Sequence, residues 1–188
     1  LSSWPKFWAG PTRSESNIMA RRVFFSFHYQ EDIWRVSQIR NSRVTRDWET
    51  DKFLDAASWE SIRRKGEAAV TAWIDRQISG TGVTVVLIGA ETADRRFVRY
   101  EIEQSHKRGN GLLGIHIHRL KNQHGETSRK GRDPFNDITV EVEETVLLWT
   151  SKVRKRLSDI YPTYDWVEHD GYQNINRWIE EAAKKAGR

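Results

Sequence analysis

Phe97 and Glu101 stand four residues apart in the stretch Arg95-Arg-Phe-Val-Arg-Tyr-Glu-Ile102, so a helix would carry a ring and a carboxylate on one face. A carboxylate at a pocket mouth can steady a positive charge developing on a sugar carbon, or order a sugar hydroxyl, as glycoside-cleaving carboxylates do. An aromatic ring one turn earlier can stack on a base. Spacing alone favours a plainer reading, a surface glutamate on an amphipathic helix. Location is what gives the pair interest. The helix follows Val83-Thr-Val-Val-Leu-Ile-Gly89, five apolar residues and one threonine bounded by glycines, which reads as a strand buried on both faces. Ligands of open α/β sheets bind at the carboxyl ends of such strands.

Other arrangements in the chain match familiar chemistries less well. Gly109-Asn-Gly111-Leu-Leu-Gly114 has the letters of a dinucleotide fingerprint, but it leaves a helix and enters a strand. The fingerprint needs the reverse, so that phosphates meet helix amides. Here the glycines stop a helix and leave a small residue in a strand. His116 and His118 share one side of a strand, yet zinc requires a third and usually a fourth ligand, and none has a persuasive spacing. No metal site is expected, and His116 is taken as a polar group lining the ligand end of its strand. No G-x-S-x-G elbow or phosphate-binding P-loop occurs. The first strand ends without the acidic pair of a phosphoacceptor domain and without a flavin-type Thr/Gly loop. Two basic clusters, Ile62-Arg-Arg-Lys65 and Lys152-Val-Arg-Lys-Arg156, read first as solvated faces and second as attraction for an anion.

The elements that must position Glu101 follow from periodicity. Arg22–Phe27 is the first strand, and a helix with Ile33, Val36 and Ile39 on one side follows Asp32. A second strand is expected near Arg43–Thr45 or Lys52–Leu54. Ser58 opens one long helix with Trp59, Ile62, Ala69, Val70, Trp73, Ile74 and Ile78 at helical spacing. After the central strand and the Glu101 helix come a strand over Leu112–His118, a polar loop over 121–136, and a hairpin or edge strand over Val140–Trp149. Ile160–Val167 reads as the last sheet strand. Asp170-Gly-Tyr-Gln173 has capping-box spacing before a closing helix with Ile175, Trp178, Ile179 and Ala182. Strand–helix alternation of this kind builds a parallel sheet of about five strands with helices on both faces.

The chain's 188 residues suffice for one domain with a full core. Residues 1–18 lack periodicity and read as an N-terminal extension, either foreign to the natural chain or an arm that packs Trp4, Phe7 and Trp8 on the domain. The absence of cysteine rules out disulfides and thiolate metal sites and fits a reducing compartment. No apolar run is long enough for a membrane span and no secretory signal opens the chain, so a cytoplasmic location is expected. The formal charge of +5 favours an anionic partner. That partner is a nucleotide, nucleic acid or acidic protein, and with no recognised nucleic-acid motif the nucleic-acid reading is disfavoured.

Four segments taken together, Arg21-Arg-Val-Phe-Phe-Ser-Phe-His-Tyr29, Val83–Gly89, Arg95–Ile102 and Gly114-Ile-His-Ile117, resemble the TIR-like domains of the Thoeris ThsB family. The resemblance runs from about Met19 to the end and weakens across 119–160. It implies a flavodoxin-like TIR fold over residues 19–188. It also implies a signalling enzyme of antiphage defence that consumes NAD as substrate, releases nicotinamide and makes a cyclic ADP-ribose-type messenger. That messenger would activate a partner effector, and the domain itself would associate with further copies. Through the resemblance, Glu101 takes the place of the essential glutamate that ends the family's W-x-x-x-E pattern. Phe97 stands where the pattern has tryptophan, which leaves cyclic and linear products both open. Ser26, Phe27 and His28 match the strand-one segment bordering the nucleotide site. The alternative is a TIR-like interaction module without catalysis.

Overall fold

The computed structural model describes residues 21–40, 49–50, 56–147 and 149–188. Five parallel strands form one sheet: β1 (Arg22–Phe27), β2 (Glu49–Thr50), β3 (Val83–Ile88), β4 (Gly111–His116) and, after a hairpin, β7 (Thr163–Asp165). Their order is β2-β1-β3-β4-β7. With the hairpin strands left aside this is the flavodoxin-like order 2-1-3-4-5. Every residue of β3 and β4 is buried, which accounts for their continuous apolar sequence.

Alternation along the strands sorts the core into two layers. Val23 and Phe25 of β1, with Val85, Leu87, Leu113 and Ile115, meet Val36 and Ile39 of α1 (Tyr29–Arg40) and Ile175, Trp178 and Ile179 of α5 (Gly171–Lys185). On the opposite face Val86, Ile88 and Leu112 receive Val98 and Ile102 of α4 (Arg96–Lys107). Phe24 packs there against Val70, Ile74 and Ile78 of α3 (Glu67–Ile78). Val98, Glu101, Ile102 and Ser105 make the buried stripe of α4, and Ser105 shares a 2.8 Å hydrogen bond with Thr84 of β3. Tyr100 donates to Asp75 at 3.0 Å and ties α4 to α3. Gly111 lies so close to α5 that a Cβ there would stand 2.5 Å from the Ala182 carbonyl oxygen.

Several local expectations are corrected. The single helix from Ser58 is two, α2 (Ala56–Arg64) and α3, because Gly66 between them sits at φ 95°, where a side chain is strained. The capping box at Asp170–Gln173 does not form. Asp170 is left-handed at φ 46° with no side-chain cap, and Asn174 Nδ2 instead donates to the His169 and Asp170 carbonyls. The last sheet strand is shorter than expected. Leu157–Asp159 forms a 3₁₀ turn, and Pro162 has no N–H to give a ladder. Of the two alternatives for Val140–Trp149 the hairpin is the one formed, as antiparallel β5 (Thr139–Val146) and β6 (Trp149–Arg156). Its basic strand sets Arg154 opposite Glu141 and Lys152 opposite Glu143. β2 falls between the two places expected for the second strand, both of which lie outside the described residues, as does the N-terminal extension over 1–18. Among the described residues no helix is long and apolar enough to cross a membrane.

Ile102 is fully buried beneath α4 and holds that helix on the sheet. Ile102→Ala should therefore cost about 2–5 kcal/mol in denaturant unfolding. A loss under 1 kcal/mol would mean that α4 is not seated as described.

Candidate active site

β1 points Ser26 to the same sheet face as Phe24, the face that α4 covers. Glu101 comes down from α4 beside Ile102. The two meet in the interior, where Ser26 Oγ donates to Glu101 Oε2 at 2.5 Å. Glu101 is only 7% exposed and Ser26 1%. Burial disfavours the charged carboxylate and pushes the Glu101 pKa up to about 8, with the Ser26 hydrogen bond pulling weakly the other way. An empty site at neutral pH thus holds this group mostly as a carboxylic acid.

Glu101 borders a cavity of about 440 Å³, within the range of small-molecule sites. The cavity lies along β1 toward its carboxyl end, between that strand and the helices of the α3–α4 face. Phe27 and His28 close one side, Trp73 and Gln77 of α3 another, and Phe97 stands one turn before Glu101. Arg63 of α2, Arg95 at the Ncap of α4 and Arg96 in its first turn also line the cavity. The site lies where β1 and β3 send their helices to opposite faces, the crevice in which this sheet order places ligands. His28 is buried with Nδ1 unpartnered, and burial, then the charge of Arg95, lower its pKa. Phe97 is half-buried with the Arg96 guanidinium 4.6 Å from its ring centroid.

Of the six residues singled out by sequence, the fold brings five together. Glu101, Phe97, Phe27 and His28 line the cavity, and Ser26 lies beneath it, bonded to the acid rather than facing the ligand space. His116 is elsewhere. It is buried at the carboxyl end of β4 with its ring 6.0 Å from that of His118, near Asp165 and Lys130, and it is not among the lining groups. Among the described residues no group of three or more imidazoles and carboxylates could hold a metal ion. Sequence reasoning passed over Trp73, Gln77, Arg95 and Arg96. Trp73 carries the spacing of a core residue. The arginine pair did leave a signal: α4 has no acidic residue in its first turn, where helix dipoles favour one.

The parallel sheet in this order is flavodoxin-like, and a buried acid on the helix after its middle strand is consistent with a TIR-like domain. The family model for the TIR-like domain of Thoeris protein ThsB matches residues 24–122. A relative from Bacillus cereus (strain MSX-D12), named "Putative cyclic ADP-D-ribose synthase ThsB1", is 35% identical over 191 aligned residues, spanning 86% of this chain and 100% of the relative. The chain belongs to the ThsB TIR-like family.

Because the Glu101 pKa is raised by folding, the unfolded chain loses this proton near 4.5 while the folded one keeps it to about 8. Stability from this group is complete below pH 4.5, falls between the two values and levels off above 8. Glu101→Gln, which cannot ionise and can still accept from Ser26, should unfold at a higher temperature than wild type. The gap should widen from pH 5 to pH 8. Thermal melts across that range check it, and a constant gap would contradict the burial.

Proposed function

We propose that this chain is an NAD-cleaving enzyme of antiphage signalling that releases nicotinamide and forms a cyclic ADP-ribose-type messenger for a partner effector. The observation that carries the reading is the buried Glu101 acid at the floor of a nucleotide-sized cavity. Membership of the ThsB family and the synthase name of the Bacillus relative support it.

NAD lies across the cavity with its nicotinamide ribose over Glu101. The pyridinium carries a positive charge, which favours the ionised carboxylate, so Glu101 releases its proton to solvent as substrate settles. The bond between C1′ and the nicotinamide nitrogen breaks, its electron pair neutralising the pyridinium. The ribose is left as an oxocarbenium-like cation that the adjacent carboxylate stabilises. A nucleophile on the ADP-ribose itself then attacks C1′ to give a cyclic product. Water attacking in its place gives ADP-ribose and a released proton. Phe97 and Trp73 supply the apolar walls that bias this choice by excluding water. Residues 19–188 are taken as the catalytic domain.

Non-enzymatic interaction is a second reading, and one feature favours it. The tip of the β5–β6 hairpin leaves Leu147 91% and Trp149 82% exposed. Such a surface suits a partner or a second copy, and it is compatible with catalysis at the cavity.

Glu101→Gln should reduce nicotinamide release from NAD, followed by chromatography, at least about 100-fold. Unchanged release would place the chemistry on another group. Ser26→Ala should act differently. Its hydroxyl favours the ionised acid, so its removal should lower activity at pH 7 about 10-fold and move the rising limb of the pH–rate profile upward. An unmoved profile would assign Ser26 a packing role only.

A further inference from the structure

We propose that the rim of the cavity at the start of α4 is a diphosphate subsite, built by Arg63, Arg95 and Arg96. The inference rests on the NAD reading for the identity of the substrate, but the anion site stands on its own geometry. Three guanidinium groups from two helices border one cavity. The first turn of α4 contains no acidic residue, and its Ncap, Arg95, makes no side-chain cap bond. Helix starts with free amides favour anions, whereas arginines at that end are opposed by the dipole. An anion between them resolves the conflict.

The opposing charges are few. Asp94 also lines the cavity but is held by Arg132 at 2.7 Å. Arg95, Arg96 and Arg63 pair with Glu91, Glu67 and Glu60 respectively, all through exposed or half-exposed contacts. Surface pairs of this kind are weak and can be exchanged for a phosphate. Arg95 Nε is buried without a hydrogen-bond partner, and buried His28 beside it also has an unpartnered nitrogen. Bidentate guanidinium contacts suit phosphate oxygens.

Placement along α4 fits the substrate's own connectivity. Glu101 is five residues beyond Arg96, about 7.5 Å along the helix at 1.5 Å per residue. A diphosphate at the helix start therefore puts the attached ribose, one C5′–O linkage away, over the acid. Phosphate contacts orient the substrate, and the specificity they confer is for nucleotides over nucleosides.

The test uses the full chain and inorganic pyrophosphate, with calorimetric titration as readout. Wild type should bind it more tightly than inorganic phosphate. The double variant Arg63→Gln/Arg96→Gln, and separately Arg95→Gln, should bind pyrophosphate roughly 10- to 100-fold more weakly. Arg177→Gln on α5 removes the same single charge as Arg95→Gln, outside the cavity lining, and should bind as wild type. Circular dichroism melts show which variants remain folded. No pyrophosphate binding by wild type, or equal weakening by Arg177→Gln, would overturn the subsite. Full binding by the folded cavity variants would do the same.

A second arm separates this inference from the NAD reading. The cavity variants should lose activity on NAD roughly 10- to 100-fold while cleaving nicotinamide riboside, which has no phosphate, at the wild-type rate. Equal losses on both substrates would overturn the subsite. Arginine-dependent pyrophosphate binding by a wild type that releases no nicotinamide would defeat the NAD reading and leave the anion site standing.

Discussion

A carboxyl group has been placed in the interior with one hydroxyl as its hydrogen-bond donor, and much of the molecule exists to hold it there. Ser26 sits on a strand buried on both faces, Glu101 on a helix pinned by Val98, Ile102 and Ser105. Neither can move without disturbing the core beneath. An ionised acid in that position lacks the donors that would offset its desolvation, so the resting state is neutral. The fold thus stores a group that is stable without charge and becomes useful with it.

Substrate chemistry completes that design. In the proposed reading, a nicotinamide ring brings a positive charge that compensates the carboxylate. The arginines that line the cavity are not among the groups that shift the acid, and the diphosphate is proposed to engage them instead. If both proposals hold, separation of the two charges along one helix, anion site at the start and acid further in, would let a single element both grip and cleave. Burial, then the charge of Arg95, lowers the His28 pKa, which disfavours a second cation on the wall of the same cavity.

The layers of this fold were legible because its central strands obey simple patterning. Val83–Ile88 is apolar since both faces are covered, and α5 keeps its stripe of Ile175, Trp178 and Ile179. Breaks in the pattern were harder to see. Gly66 splits a helix whose apolar spacing runs through it undisturbed, and only its positive φ reveals the turn. Asp170 has the letters of a cap but adopts a left-handed backbone that takes its side chain away from the helix amides. At the site, Phe97 and Glu101 could be paired from helical spacing. The bond from Ser26 to Glu101 joins residues 75 apart in sequence, and no local pattern encodes it. Trp73 was hidden in a core stripe, while His116 drew notice through its neighbour His118 and sits at another part of the sheet's edge.

The direct measurement is a carboxyl-carbon NMR titration of Glu101 in protein labelled at glutamate side chains, with Glu101→Gln to assign the signal. The buried-acid account predicts a titration midpoint near pH 8 in the free protein, moving down when a non-cleavable NAD analogue is bound. A midpoint near 4.5 in the free protein, unmoved by the analogue, would contradict it.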